Sequence, residues 1–182
     1  MSTVRRVLLA SLLTLLFASA ASWAAPAPDL GQLLAAQDKA LVTVKFVLQV
    51  KLGGSLAGGM DDQELENEVT GVVIDSKGLV LCSNTQFNAY VDLMERMMPA
   101  GVEMTATPKD LKVLTGVEGE ELGADLLVRD SDRDLVWLRI REPGERKFSF
   151  IDFAQATVPG VGDEVFAVWR MDRYFARAPT LS

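Results

Sequence analysis

The sequence predicts an all-β fold, a barrel or a sandwich. Three observations point there. Six or more short runs rich in β-branched and aliphatic residues recur along the chain; clusters of Gly, Pro, Asp and Ser punctuate them; and only two stretches carry helical spacing. The chain has 182 residues, 49% of them hydrophobic and 24% charged, an ordinary globular composition. A chain of this size can bury one sizeable core without staples. It holds no internal repeat.

The elements follow in order. Asp29 can cap a short helix over 30–40, where Leu30, Leu33, Leu34 and Asp38 fall at helical spacing. Residues 41–50 form a β-branched run with partial alternation, a strand buried on more than one face. Gly53-Gly54 and Gly58-Gly59 frame a loop that continues through Asp61, Asp62, Glu64, Glu66 and Glu68. Residues 68–75 and 79–83 form a hairpin about the turn Ser76-Lys77-Gly78. Residues 88–98 read as a helix with Tyr90, Leu93, Met94, Met97 and Met98 on one face, ended by Pro99 and Gly101. That face can cover the sheet or serve as an adaptable groove. Strands follow at 110–115, 122–129 and 135–141, separated by turns at 116–119 and 130–133. A looser stretch carries Phe148, Phe150, Ile151 and Phe153, and a last strand spans 164–169 after the turn Pro159-Gly160-Val161-Gly162-Asp163.

The first residues are an address. Arg5 and Arg6 precede an apolar run, Val7 to Phe17, that falls well short of the roughly 20 residues a helical span needs. Small residues then lead to Ala24, the pattern of a secretory signal peptide over 1–24, cleaved after Ala24 or after Ala20. Ala25-Pro26-Ala27-Pro28 is an extended linker. The pattern is bacterial in type and predicts a periplasmic or secreted protein with no membrane span after cleavage; the alternative is an uncleaved anchor.

Composition excludes several chemistries. The chain has no histidine, which removes imidazole bases and His-ligated zinc. One cysteine, Cys82, allows no internal disulfide and reads as a small core residue. The net charge of −7 argues against nucleic acid as a partner. The acidic run at 61–68 could hold a cation, but its spacing is that of a solvated loop rather than a calcium loop. Asp130, Asp132 and Asp134 resemble the opening of a calcium loop, yet Leu135 and Arg141 stand where a glycine and a glutamate belong. The glycines at 53–59 lack the Gly-Lys-Ser/Thr of a phosphate loop. No cofactor or metal is expected. Arg170, Arg173 and Arg177 interleave with Trp169, Tyr174 and Phe175 as a candidate partner patch.

Three segments together carry a family resemblance. Thr70-Gly71-Val72-Val73-Ile74-Asp75, followed by Lys77-Gly78-Leu79-Val80-Leu81-Cys82-Ser83-Asn84-Thr85, resembles the GSGVIID…GYVLTNAHV hairpin of HtrA/Deg-type, trypsin-like serine proteases. Asp130-Ser131-Asp132-Arg133-Asp134-Leu135-Val136-Trp137-Leu138-Arg139-Ile140 resembles their D-x-x-x-D-L-A-L-L-x-I strand, and Val161-Gly162-Asp163-Glu164-Val165-Phe166-Ala167-Val168 their VGDxVxAIG turn and strand. The resemblance implies a six-stranded Greek-key barrel over 29–169, the first of the family's two, with a short N-terminal helix and one inserted helix. The tail, 170–182, is expected to be the start of a missing second barrel.

The departures bear on chemistry. The resemblance puts Thr85 where the family has its histidine and Asp134 where it has the aspartate that orients it. A threonine hydroxyl cannot accept and return a proton near neutral pH. Asp134 then has nothing to orient, and its plainer role is to cap the turn or pair with Arg133. No glycine-flanked nucleophilic serine is present, so no intact catalytic residue is expected. The expectation is an inactive, exported pseudoprotease that binds a polypeptide or an envelope protein, or pairs as a homodimer. The alternatives are the front part of a longer trypsin-like protein and a small ligand-binding β-barrel.

Overall fold

The computed structural model describes residues 29–53, 63–98, 102–115 and 120–182. The expected signal peptide and linker, Gly54, Gly58, Gly59, Asp61, Asp62, Pro99, Gly101 and the turn at 116–119 lie outside those residues. The chain divides into two units, Met1–Leu30 and Gly31–Ser182, and the described strands all belong to the second. Among the described residues no helix is long and apolar enough to cross a membrane.

Six strands close into an antiparallel barrel: β1 (Leu41–Gly53), β2 (Gln63–Val73), β3 (Leu79–Ser83), β4 (Glu103–Thr115), β5 (Glu121–Asp130) and β6 (Leu135–Ile140), in the order β1-β2-β3-β6-β5-β4. This is the six-stranded all-β barrel that was expected. Helix α1 (Leu30–Gln37) runs into a 3-10 turn before β1, and α2 (Asn84–Met97) is inserted between β3 and β4.

Alternation builds the interior. Val42, Val44, Phe46, Leu48 and Val50 face inward from β1 and meet Val69 and Val73 of β2, Val80 and Cys82 of β3, and Val136, Leu138 and Ile140 of β6. These side chains fill the barrel, as a six-stranded ring requires. Gly71 is part of that packing: a Cβ there would lie 2.8 Å from Val80 Cγ1 and 3.1 Å from Val44 Cγ2. The β2–β3 turn is set by Asp75, whose Oδ1 accepts from the N–H groups of Lys77 and Leu79, each at 2.8 Å. Gly78 completes it with φ +83°, in the left-handed region. Burial works to raise the Asp75 pKa, but the hydrogen bonds from Leu79, Arg139 and Lys77 outweigh it and hold the carboxyl below its usual range.

Several boundaries differ from the sequence reading. β1 runs on to Gly53, past the expected 50, so Gly53 ends a strand rather than framing a loop. The strand expected at 68–75 begins at Gln63, so Glu64, Glu66 and Glu68 belong to a strand, not a loop. They stand opposite Gln49, Val47 and Lys45. Glu64 pairs with Lys109 and Glu68 with Arg177, so basic neighbours neutralise these two carboxylates. β4 begins at Glu103, not 110. Pro108 masked it, but Pro108 has β1 on one side and no strand on the other, an edge setting that tolerates proline. Helix α2 begins one turn before the expected 88. The strand expected at 164–169 shrinks to β7 (Val168–Arg170), which pairs outside the barrel with β8 (Pro179–Leu181). Val165 is exposed, with no sheet for it to face.

Candidate functional site

The residues that the resemblance singles out meet at the corner where β3 runs into α2. Ser83 is the N-cap of α2, and its Oγ accepts from Gln86 N–H at 3.2 Å. The next two helical N–H groups go to Asp134 at the start of β6. Asn84 N–H donates to the Asp134 carbonyl at 3.1 Å, and Thr85 N–H to Asp134 Oδ1 at 2.5 Å. Ser83 Oγ–H donates to Asp134 Oδ2 at 2.8 Å. Thr85 and Asp134 are 49 residues apart in sequence and adjacent in space. Asp134 adopts φ 58°, a left-handed conformation that Asp accepts more readily than most residues.

Asp134 is therefore a helix cap. It does not pair with Arg133, whose guanidinium binds Asp130 at 2.8 Å. The Ser83 hydroxyl, above all, and the N–H and side chain of Thr85 hold the Asp134 carboxyl below the usual range. A base works best with a pKa near the working pH, and this shift runs the other way. The carboxylate beside the exposed Thr85 hydroxyl is therefore too weak a base to activate it. Cys82, one residue before Ser83, is buried, which pushes its thiol up to about 12. It stays protonated at neutral pH and is no nucleophile.

The rest of α2 differs from its helical-wheel reading. Phe87 is the buried anchor, stacked on Phe46 with ring centroids 4.1 Å apart. Tyr90 and Val91 pack partly against the core, while Leu93 and Met97 are exposed. Arg129 lies over the Phe87 ring and donates to Asn84 Oδ1 and Asn88 Oδ1. The three aspartates Asp130, Asp132 and Asp134 do not converge, and among the described residues no cluster of ligands could hold a metal ion.

The arginines after β6 are mostly spent within the molecule. Arg170 has a side chain only 1% exposed, and its guanidinium donates to the carbonyls of Leu41, Arg177 and Asp38 and to Asp38 Oδ1. Arg177 grips Glu68 with two hydrogen bonds, at 3.0 and 2.6 Å. Arg173 lies over the ring of its exposed neighbour Tyr174, 3.8 Å from Glu66. Of the expected basic-aromatic patch, Trp169, Arg173, Tyr174 and Phe175 remain at the surface. The larger of two described clefts, about 690 Å³, is lined by charges such as Lys45, Lys112 and Arg141, and these already pair with Glu121 and Asp125.

Sequence reasoning overlooked Ser83, Thr43 and the burial of Arg170. For Ser83 a signal was present: Ser83-Asn84-Thr85-Gln86 has the S-x-x-Q spacing of a capping box. For a buried arginine on a short strand, nothing in the local pattern speaks.

No family model matches the chain, and no curated protein matches it. Among solved structures it is similar to the protease domain of MamO from Magnetospirillum magneticum in its apo form. That likeness has 20% identity, a TM-score of 0.45, and covers 80% of this chain. The chain spans 59% of the length of that structure's chain.

Proposed function

We propose that this protein is an exported polypeptide-binding module built on the first barrel of a trypsin-like serine protease, with no proteolytic activity of its own. The observation that carries the reading is the corner at Asp134. The two positions assigned to the family's histidine and aspartate lie side by side, but the carboxylate is spent on Ser83 and Thr85, and the sequence has no histidine to take up a proton. The closed barrel in the order β1-β2-β3-β6-β5-β4 supports the family assignment. The leader pattern before Ala25 supports export. Helix α2 and the segment after Trp169 are the surfaces offered to a polypeptide.

The test combines three measurements on the purified chain: hydrolysis of casein, labelling by a serine-directed phosphonate, and retention of unfolded casein. The expected result is neither cleavage nor labelling, together with retention of unfolded casein on the immobilised protein. Labelling of any residue of this chain overturns the claim of inactivity, and failure to retain casein overturns the claim of binding.

A further inference from the structure

The two surfaces named above meet at a cleft of about 340 Å³ between α2 and β7. Its size is at the lower end of ligand pockets, which run from roughly 300 to 1,000 Å³. Gln86 and Ala89 form one wall, Trp169 and Met171 the other, and Thr43 and Thr70 lie on the barrel side. Thr43 is 3% exposed. Its Oγ1 is the only buried side-chain polar atom among the described residues with no hydrogen-bond partner.

A buried hydroxyl without a partner is costly and uncommon in a folded protein, and each instance asks for a reason. The neighbouring hydroxyl is not in that state: Thr70 Oγ1 accepts from Arg170 N–H at 3.2 Å and donates to the Arg170 carbonyl at 3.3 Å. The charged groups on the cleft are also engaged. Glu68 is held by Arg177, Arg170 by carbonyls and Asp38, and Asp172 Oδ1 accepts from Tyr174 N–H at 2.8 Å. An anionic ligand therefore finds no unspent counter-charge, and Asp172, a carboxylate with no ion pair among the described residues, is exposed rather than buried in the cleft; a neutral group with one hydrogen bond to exchange finds Thr43. Ala89, Trp169 and Met171 supply apolar surface for the rest of it.

We propose that this cleft binds a neutral amide carrying an apolar side chain, with the Thr43 hydroxyl as its hydrogen-bond partner. The proposal rests on the polypeptide-binding reading for its source of amides; a free small amide has the same chemistry. The Thr43 oxygen is buried, so the side chains over it must move to admit the ligand. Met171 and Gln86 are long, unbranched side chains suited to that movement.

The experiment uses the whole chain and two probes: N-acetyl-leucine-N′-methylamide, followed by amide chemical shifts, and unfolded casein, used as a competitor. The expected result is binding of the capped residue with shifts clustered at Thr43, Ala89 and Trp169, and its displacement by casein. Thr43→Val keeps the shape and removes the hydroxyl. It should weaken binding about three- to tenfold while raising the Tm of the free protein by about 2–4 °C, because the orphan group is gone. Ala89→Phe, at an exposed helix position, should fill the cleft and abolish binding without unfolding the chain. If both probes bind and both variants bind as the parent does, the cleft is wrong and the polypeptide reading stands. If the capped residue binds at the cleft and casein does not, the ligand is a free amide and the polypeptide reading falls. If neither probe binds, both fall.

Discussion

The barrel and the segment that follows it are held by different forces. From β1 to β6, stability comes from many equivalent apolar contacts: Val42, Val44, Val80, Val113, Val136 and Leu138 have essentially no exposed surface. After Ile140 the chain has no comparable core. Phe150, Phe153, Val158, Val161 and Val165 are exposed, and β7 pairs only with β8. The segment's seat at β7 is polar instead, centred on the buried Arg170 guanidinium and the paired Arg177. A distributed apolar core tolerates the loss of any one contact by a graded amount. A polar seat concentrated in one side chain fails as a unit.

Four substitutions sharpen that contrast, in descending order of effect. Leu138→Ala opens a cavity in the barrel and should cost about 2–5 kcal/mol. Urea melts of intrinsic fluorescence should shift as one cooperative transition, and a separate early transition would show that the barrel is not one unit. Arg170→Met leaves the Asp38 carboxylate and three carbonyls without their donor and should cost about 3 kcal/mol. Its effect should be local: hydrogen exchange rises at 168–181 while the amides of β3 and β6 stay protected. Uniform loss of protection would place Arg170 within the barrel's own cooperative core.

The third and fourth concern the Asp134 corner. Asp134→Asn removes the charge that the Ser83 hydroxyl and the α2 N-terminus favour, and should lower Tm by less than Arg170→Met does. The sign of its pH dependence follows from the depressed pKa. The carboxyl's contribution is complete above its unfolded pKa of about 3.9 and is lost as pH falls through the lower folded value. The Tm gap between parent and variant should therefore be widest near neutral pH and close in acid; a gap independent of pH would mean that the charge is irrelevant. Thr85→His places an imidazole beside Asp134. Its pKa should rise above the ordinary value of about 6.5. An unshifted titration, read by proton NMR, would separate position 85 from the carboxylate and count against the proposed reading of the corner.

The contrast also explains what the sequence disclosed. β1 was legible as a β-branched run, and β3 and β6 because inward and outward residues alternate against a common core. The beginnings of β2 and β4 were hidden, the first by carboxylates on its outer face and the second by Pro108 on an open edge. Thr85 and Asp134 were identified through resemblance, and their adjacency follows from the β3–β6 pairing of Ser83 with Leu135. The start of α2 was missed although Ser83 and Gln86 announce it. The burial of Arg170 could not be found, since three of its four acceptors are backbone carbonyls, which leave no mark on a sequence, and the fourth, the Asp38 carboxylate, lies 132 residues away.

The reach of Arg170 also sets an order of events during synthesis. Its acceptors at Leu41 and Asp38 lie 129 and 132 residues earlier in the chain. A polypeptide made from its N-terminus presents those acceptors long before the guanidinium exists. The entry into β1 thus stays unsealed while the six barrel strands emerge, and sealing it must wait until all six have been made. Chains cut short before residue 170 would carry a complete set of barrel strands with that entrance open, and so would be recognisable to any quality-control factor that reads exposed strand ends.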